Sequence, residues 1–538
     1  MKDTNREAPA SVAKKGSEQQ PIQKVLIANR GEIALRIGKT LQAMGKTVVA
    51  LCSDIDITAP HVVAANEVIH LPGNTSAETY LQTEKILAAA KAHGVDAVHP
   101  GYGFLSENAD FARACQDSGI VFIGPSPEAI DAMGDKIRAK ALMQTAGVPV
   151  VPGWSGDSNT PLDVLSKEAE KIGYPILVKA AAGGGGKGMR LVHQPSDLAA
   201  ALEAAAREAQ KAFGDARVFL EKYIVRPRHV EFQIFGDAQG NTVHLFEREC
   251  SIQRRHQKII EESPSPCLTP ELRTKMGDAA VKAAKAIGYT NAGTVEFIVG
   301  QDGGFYFLEV NTRLQVEHPV TEMVTHMDLV RLQMLIAEGR SLPFTQSDLQ
   351  QDGHAIECRL YAEDPQNQFL PSTGKIVVYR PPEGPNIRMD SGVREGTEVS
   401  IFYDPMLAKL ITWGKTRGEC LSTMQWALQN TVILGVNHNA NFLQQILHHP
   451  QFIIGNIHTH FLDEETLAPL QATQNLEAIA LAAGIASLQN SGSQSLPGQS
   501  QSSDRSKDGS QDDHNPWLQG GEWRALASVP SRSEGRPS

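Results

Sequence analysis

The amino-acid sequence predicts a mixed α/β and α+β fold, with a parallel α/β domain first, a central domain rich in polar motifs, and a β-rich domain last. An apolar strand at residues 24–28 leads through a helical repeat of apolar residues at 33–41 into a second strand at 47–52. This strand–helix–strand order indicates a parallel sheet. Short β-like runs, such as 354–361 and 374–379, make the last domain β-rich.

Changes in composition divide the chain into five predicted segments. A helix near residues 79–91 and strands at 96–98 and 121–123 extend the first domain. Residues 489–514 are dominated by Ser, Gln, Gly and Asp, which cannot bury enough apolar surface to fold. The predicted segments are a disordered extension at 1–21, an α/β domain at 22–135, a central domain at 136–340, a β-rich domain at 352–465, and a helix with a disordered tail at 466–538.

Charge and composition argue against several classes of protein. The formal net charge of −11 disfavours a general nucleic-acid-binding surface, which needs concentrated basic residues. No apolar run approaches the roughly 20 residues of a membrane-spanning helix, and residues 1–20 lack the apolar core of a signal peptide. The six cysteines form no CxxC pair, so we expect neither zinc nor disulfides but reduced thiols in a cytoplasmic protein.

A glycine-rich loop follows the predicted strand at residues 175–179. Four consecutive glycines at 183–186 let backbone N–H groups close around phosphate oxygens, and Lys179 and Lys187 add positive charge. The loop is not a Walker A motif, because Gly188 follows Lys187 where that motif has Ser or Thr. A flexible linker is the alternative, but core-like sequence on both sides favours a phosphate site.

Two apolar strands, at 294–299 and 305–310, are predicted to form a hairpin across the glycine-rich turn at 300–304. Each strand carries one acid, and this turn places Glu296 and Glu309 approximately opposite each other. Two carboxylates among apolar residues repel each other unless a cation lies between them. Their hard oxygen atoms suit Mg²⁺ bridging ATP phosphates.

Polar side chains continue along the second strand of this hairpin. Glu309, Asn311, Arg313, Gln315 and Glu317 alternate with less polar residues, so an extended backbone would place all five on one face. That face would combine acids, a cation and amides within about 27 Å. A solvent-facing edge strand is the alternative, but such edges are richer in Lys and Thr, and the pattern favours an active-site wall.

Two further polar runs have less specific patterns. On a single strand, Arg254, His256 and Lys258 would point the same way, but a solvated basic patch is the simpler interpretation of residues 253–258. Residues 221–224 follow an apolar strand and could form a hinge whose backbone binds the edge of an adenine, or only the end of that strand.

Taken together, these motifs resemble those of the biotin carboxylases, which are members of the ATP-grasp superfamily. The resemblance covers about residues 22–465 and implies an ATP-grasp fold for the central domain. Its diagnostic stretches occur in order along the chain: 27–34 (IANRGEIA), 99–108 (HPGYGFLSEN), 133–136 (MGDK), the glycine loop, 254–258 (RRHQK), 309–319 (EVNTRLQVEHP) and 353–359 (GHAIECR).

The resemblance implies a role for each matching residue. Glu317 would be the general base and Arg359 the cation beside the biotin ureido oxygen, with Lys258 and Arg313 completing the catalytic group. The implied ligands of Mg²⁺ or Mn²⁺ are Glu296, Glu309 and Asn311. The residues implied to hold bicarbonate and biotin are Lys258, Arg313, Gln315, Val316, Glu317 and Arg359. Those implied to hold ATP are Lys136, Lys179, Gly185, Gly186, Glu221, Lys222, Ile224, His229, Gln253, His256, Glu296 and Glu309.

The implied activity is carboxylation of carrier-bound biotin with bicarbonate, driven by ATP through carboxyphosphate. The last lysine, Lys507, lacks the Met-Lys-Met context that carries biotin in this family, so we expect the carrier on another chain or beyond this one. Residues 455–461 and 515–524 resemble acyl-CoA carboxylase α subunits, especially the methylcrotonyl-CoA type. A free-standing acetyl-CoA carboxylase component is also compatible.

The expected partners are a biotin carboxyl carrier protein or domain and a carboxyltransferase subunit. This chain would form a homodimer or join these partners in a larger carboxylase complex of fatty-acid or branched-chain amino-acid metabolism. Two other classes stay open, a different ATP-grasp ligase and a catalytically silent nucleotide-binding subunit. Arg359 and residues 313–317 argue against the first, and the intact Lys258, Glu317 and Arg359 against the second.

Overall fold

The computed structural model describes residues 22–155, 160–181 and 189–469. All of the described residues belong to one compact unit of the chain. The predicted extension, the glycines of the loop, including Gly185 and Gly186, and the tail beyond residue 469 lie outside the described residues.

The first part of the chain alternates strands and helices. Its elements are β1 (Lys24–Ile27), α1 (Gly31–Ala43), β2 (Thr47–Cys52), α2 (Pro60–Val63), β3 (Glu67–His70), α3 (Thr83–Ala92), β4 (Ala97–His99), α4 (Ala109–Asp117), β5 (Val121–Phe122) and α5 (Pro127–Gly134). The strands form a parallel sheet in the order β3-β2-β1-β4-β5, which confirms the predicted parallel sheet. Alternate residues of β1 enter two different cores, Val25 on one face and Leu26 on the other, so both faces are covered.

Helix α3 begins later than the sequence pattern predicts. The prediction placed its start near Thr79, whereas the helix begins at Thr83. The carboxylate of Glu78 accepts hydrogen bonds from the backbone N–H groups of Asn74 and Thr75. These bonds close a turn that competes with helix formation in this segment.

The central part contributes a small sheet and half of a large one. Its elements are α6 (Lys136–Thr145), β6 (Gly153–Ser155), α7 (Leu162–Ile172), β7 (Ile176–Ala180), β8 (Arg190–Val192), α8 (Leu198–Phe213), β9 (Val218–Lys222), β10 (Arg228–Gly236), β11 (Thr242–Arg254), β12 (Gln257–Ser263), α9 (Pro270–Ile287), β13 (Asn291–Val299), β14 (Phe305–Asn311), α10 (His318–Thr325) and α11 (Leu329–Ala337). The small sheet is antiparallel, in the order β6-β9-β7-β8.

The last part is rich in strands, as predicted, and also contains four helices among the described residues. Its elements are β15 (His354–Tyr361), β16 (Glu363–Asp364), β17 (Leu370–Pro371), β18 (Gly374–Lys375), β19 (Val378–Arg380), β20 (Ile387–Ser391), β21 (Glu398–Val399), β22 (Met406–Gly414), α12 (Arg417–Gln429), β23 (Val432–Leu434), α13 (Ala440–Leu447), α14 (Pro450–Ile453) and α15 (Phe461–Glu464).

One eight-stranded sheet joins the central and last parts, in the order β14-β13-β10-β11-β12-β15-β22-β20. The junction is the antiparallel pairing of β12 with β15, in which Ile260 lies opposite Cys358. Buried alanines of α9 pack against the β10–β13 end, and Met424 of α12 packs in the core beside β15 and β22. The two ends of the sheet are therefore held in a fixed relation by backbone hydrogen bonds.

The acidic hairpin forms as predicted, but the polar wall after it does not stay extended. Glu296 and Glu309 are direct partners in the β13–β14 ladder. Strand β14 ends at Asn311, and the backbone N–H of Thr312 donates to Glu107 Oε1 at 3.2 Å. The chain then turns into α10, whose N-cap residue is Glu317. The predicted extended strand over 311–317 is therefore wrong.

The described residues also bear on the predictions about membrane-spanning helices and about the cysteines. No helix among them combines the length and the apolar content that crossing a bilayer requires. All six cysteines are free, and all except Cys267 are buried.

Candidate active site

A cavity of about 620 Å³ is lined by residues of the small sheet and the large sheet. All of the described residues to which the sequence analysis assigned a role line it: Lys136, Lys179, Glu221, Lys222, Ile224, His229, Gln253, His256, Lys258, Glu296, Glu309, Asn311, Arg313, Gln315, Val316, Glu317 and Arg359. The side chains after Asn311 reach the same cavity although they do not share a strand face, because the turn into α10 directs them there.

One end of the cavity combines an apolar slot with paired charges. Lys179 Nζ donates to Glu221 Oε2 at 2.6 Å, and Lys140 Nζ donates to the other oxygen of Glu221 at 3.0 Å. Lys222 turns its Nζ onto the carbonyl of Gly173 at 2.6 Å, which keeps the end of β9 in place. The apolar side chains around this end are Leu177, Leu191, Ile224, Ile298 and Leu308. An apolar slot beside lysines suits a nucleotide base next to its phosphates.

The acid pair lies further along the cavity. His229 Nε2 is 2.9 Å from Glu296 Oε2, and Lys136 Nζ is 3.7 Å from Glu309 Oε2. Burial opposes ionisation of Glu296, but Lys258 and His229 outweigh burial and hold its pKa well below the usual value. Burial and the charge of Glu296 raise the pKa of Glu309.

This donor set fits a divalent cation. Two carboxylates face each other across the ladder, and the amide of Asn311 contacts Glu296 Oε1 at 2.8 Å. Oxygen donors of this kind bind Mg²⁺, which would offset the repulsion that raises the pKa of Glu309.

Lys258 is the central cation of the cavity. Its Nζ donates to Glu231 at 2.5 Å, to Glu296 at 2.8 Å and to Glu317 at 2.7 Å. Burial alone would lower the pKa of Lys258, but the three carboxylates outweigh burial and raise it well above the usual value. Lys258 therefore stays charged and can bind an anion.

Glu317 lies between two cations. Arg359 Nη2 donates to Glu317 Oε2 at 3.0 Å, on the side opposite the bond from Lys258. Burial opposes ionisation of Glu317, but Lys258 and Arg359 outweigh burial and lower its pKa. Glu317 is thus an ionised carboxylate at neutral pH, which a general base requires. Arg359 is also held by Glu261, from Nε to Oε1 at 2.6 Å.

The run at 253–258 is not one strand, and only its tip, Arg255 and His256, is exposed. Strands β11 and β12 meet at a tight turn in which Arg255 and His256 have φ values of 50° and 67°. The turn leaves His256 and Lys258 lining the cavity but not Arg254. Arg254 instead pairs with Glu363 at 2.6 Å. The predicted common direction of Arg254, His256 and Lys258 is therefore wrong.

Several residues at the site were missed by the sequence analysis. Glu231 is fully buried and holds both Lys258 and Arg248. Glu261 holds Arg359, and Glu107 pairs with Arg313 at 3.0 Å. The alternation of His229, Glu231 and Gln233 along the apolar strand β10 was a signal that could have identified Glu231.

Three families match successive parts of the chain. The family described as "Biotin carboxylase, N-terminal domain" matches residues 21–130. "Carbamoyl-phosphate synthase L chain, ATP binding domain" matches 135–345, and "Biotin carboxylase C-terminal domain" matches 357–464. These matches follow the order of the three parts of the fold.

Individual relatives agree with this order. The chain is 51% identical over 467 residues to the methylcrotonoyl-CoA carboxylase α subunit, mitochondrial, of Dictyostelium discoideum, covering 86% of this chain and 67% of that one. It is 52% identical over 441 residues to the biotin carboxylase of Nostoc sp., covering 82% of this chain and 98% of that one. The chain spans 60 to 67% of the length of the methylcrotonoyl-CoA carboxylase α subunits that it matches.

A solved structure extends the likeness to the fold. The biotin carboxylase domain dimer of Hydrogenobacter thermophilus 2-oxoglutarate carboxylase, in complex with MgADP, ADP and bicarbonate, superposes with a TM-score of 0.79 and is 46% identical. The comparison covers 83% of this chain and 98% of that one. The chain therefore belongs to the biotin carboxylase family, whose members are ATP-dependent ligases that use Mg²⁺ and work with carrier-bound biotin and a carboxyltransferase.

Proposed function

We propose that this chain carboxylates carrier-bound biotin with bicarbonate and ATP, as the first half-reaction of an acyl-CoA carboxylase. The observation that supports this proposal most directly is the position of Glu317 between Lys258 and Arg359, in the same cavity as the Glu296–Glu309 pair. A base, an anion-binding cation and a nucleotide end within one cavity are the parts that this chemistry needs.

The first step forms carboxyphosphate. Lys258 and Arg313 bind bicarbonate, and Glu317 accepts its proton. An oxygen of the resulting carbonate attacks the γ-phosphorus of ATP, the bond to the β-phosphate oxygen breaks, and ADP leaves. Mg²⁺ held by Glu296, Glu309 and Asn311 would supply positive charge at the phosphate oxygens. Lys136 and Lys179 line the same region and add to this field.

The second step carboxylates biotin. Carboxyphosphate separates into carbon dioxide and phosphate, and the phosphate takes the N–H proton of the biotin ureido group. Arg359 stabilises the negative charge that then develops on the ureido oxygen. The ureido nitrogen attacks carbon dioxide to give carboxybiotin. The burial of Glu317 and Arg359 keeps bulk water from the reactive species.

The finer assignments belong to the same proposal. Identity to methylcrotonoyl-CoA carboxylase α subunits supports an acyl-CoA carboxylase. The sequence context of Lys507 supports a biotin carrier on another chain or domain. The dimeric 2-oxoglutarate carboxylase domain supports a homodimer. Six free thiols support the cytoplasm, and the mitochondrial relatives supply the alternative that cell fractionation would test.

The test is ADP release by the full chain, measured with and without bicarbonate and free biotin. We expect ADP release to depend on bicarbonate and to rise with biotin. Glu317→Gln removes the base and should lower the rate by a factor of about 10² or more. Glu395→Gln is the matched control, because this exposed acid pairs with Arg380 and does not line the cavity.

Three outcomes would contradict the proposal. Nucleotide binding without any ADP release would indicate a silent subunit. ADP release that requires an amine or amino acid instead of bicarbonate would indicate another ATP-grasp ligase. Full activity of Glu317→Gln would show that the reaction does not need the Glu317 carboxylate as a base.

A further inference from the structure

A fully buried lysine lies behind the active site, where the three parts of the fold meet. Lys409 on β22 has an exposed side-chain fraction of 0%. Its Nζ donates to the backbone carbonyl of Val316 at 2.7 Å and lies 3.3 Å from Glu32 Oε1. Glu32 belongs to α1 of the first part, Val316 to the turn before α10, and Lys409 to the last part.

Among the described residues, Glu32 is the acid that lies within ion-pair distance of Lys409 Nζ. Asp390, its neighbour on β20, is already paired with Arg388 at 2.7 Å. Glu357 is buried without a hydrogen-bond partner among the described residues, and burial raises the pKa of its carboxyl well above the usual value. Glu32 also accepts a hydrogen bond from the hydroxyl of Tyr102, which fixes its carboxylate.

This arrangement gives a role to two motif residues that the proposed function leaves unused. Glu32 comes from the IANRGEIA stretch and Tyr102 from the HPGYGFLSEN stretch. Neither side chain lines the cavity, and Lys409 does not line it either. A contact with substrate therefore does not explain them.

Glu317 needs an anchor that substrates do not displace. Lys258 and Arg359 hold its carboxylate, but both line the cavity and must turn to bicarbonate and biotin during the proposed reaction. Lys409 holds the adjacent carbonyl of Val316 from outside the cavity. Its bond can persist while the other two are exchanged.

We propose that Lys409, held by Glu32, is a positioning residue that fixes the backbone at Val316 and keeps Glu317 aimed at bicarbonate throughout turnover. This inference rests on the proposed function of Glu317. Under this proposal, the contact between the three parts of the fold contributes to the catalytic rate as well as to the stability of the fold.

The test compares Lys409→Met with the double variant Lys409→Met/Glu32→Gln in the full chain. Lys409→Met removes the donor and leaves Glu32 buried without its cation, so the melting temperature should fall. The double variant removes both charges and should recover most of that fall. In both variants we expect kcat for bicarbonate-dependent ADP release to drop by about tenfold to a hundredfold, with KM for ATP changed by less than about twofold.

Two further variants separate positioning from general damage. Thr412→Val, three residues along the same strand, removes the buried hydrogen bond to the Cys420 carbonyl and should lower stability without lowering kcat. Lys409→Arg keeps a charged donor and should retain more of kcat than Lys409→Met.

The inference is overturned if the double variant regains wild-type kcat, if KM for ATP rises in step with the loss of kcat, or if Thr412→Val loses as much kcat as Lys409→Met.

Hydrogen exchange gives an answer independent of activity. Amides at 314–318 should exchange faster in the double variant while those of β13 do not change, and unchanged exchange at 314–318 also overturns it. A wild-type chain without bicarbonate-dependent ADP release would instead contradict the proposed function, and exchange would still decide the role of Lys409.

Discussion

At the scale of single residues, His99 shows how burial sets a charge state. Its Nδ1 accepts a hydrogen bond from the backbone N–H of Gly101 at 3.1 Å, and its Nε2 lies 3.1 Å from Gln333 Oε1. This pattern requires a neutral imidazole with its proton on Nε2. Burial lowers the pKa of His99 to about 4.

The lowered pKa predicts sensitivity of the fold to acid. The unfolded chain binds the proton near pH 6.5 and the folded chain only near pH 4, so stability is complete above pH 6.5 and is lost as the pH falls towards 4. At pH 5 the loss from this residue is about 2 kcal/mol. Urea denaturation at pH 7.5 and pH 5 measures it.

The variant His99→Asn supplies the comparison. It should be less stable than the wild type at pH 7.5, yet its free energy of unfolding should change less between the two pH values. Part of the pH dependence should remain, because burial also lowers the pKa of His61 and of His244 to about 4. An unchanged pH dependence would show that His99 is not the titrating group.

At the scale of elements, the β11–β12 hairpin places two non-glycine residues in left-handed backbone. Turns of this kind favour Asn-Gly, and a bulky side chain costs about 1 kcal/mol there. Arg255 is exposed and does not line the cavity, so Arg255→Asn should raise the free energy of unfolding by about that amount and leave KM for ATP unchanged. Chemical denaturation and steady-state kinetics measure the two quantities.

A contrasting substitution tests the explanation. Arg331 is exposed on α11, where the backbone is helical, and Arg331→Asn should lower stability because asparagine is a weaker helix former. A gain in stability at both positions would mean that the left-handed backbone is not the cause.

The same hairpin shows why some elements were predicted and others were not. Three glycines identify the turn at 300–304, so the β13–β14 hairpin could be predicted from the sequence. The turn at Arg255 and His256 carries no glycine or asparagine, so the pattern looked like a continuous run. The end of β14 at Asn311 depends on Glu107, which captures the N–H of Thr312 from more than two hundred positions away in the sequence. Tertiary contacts of that kind leave no local signal.

At the scale of the whole molecule, the candidate site contains residues that were predicted from the sequence and residues that were not. The Glu296–Glu309 pair could be predicted from local pattern, because each acid lies in an apolar strand and a glycine-rich turn joins the two strands. Glu261 was not found, since its partner Arg359 comes from another strand. Glu231, the partner of Lys258, was missed although its alternation with His229 and Gln233 was a local signal. The individual roles of Lys136, His229 and the rest came from family resemblance, and spacing alone would not have assigned them.

The cavity predicts that nucleotide binding depends on a divalent cation. ATP with Mg²⁺ should raise the melting temperature, by the equivalent of about 2.7 kcal/mol when the ligand is at a hundred times its Kd. ATP with EDTA should raise it less, because Glu296 and Glu309 then repel the triphosphate without an intervening ion. Differential scanning fluorimetry measures both shifts.

A variant without the two acids tests the cause. In Glu296→Gln/Glu309→Gln the repulsion is absent, so the shifts with Mg²⁺ and with EDTA should converge. Equal shifts in the wild type would show that the acid pair does not bind a cation during nucleotide binding.

The continuous eight-stranded sheet also limits how this protein can be cut into pieces. Families match up to residue 345 and again from 357, which invites a boundary between them, yet β12 and β15 pair across that gap. A recombinant fragment that stopped near residue 350 would expose the edge of β12 with its buried Ile259 and Ile260. Unpaired apolar edges of this kind aggregate, so such a fragment should be recovered as insoluble material.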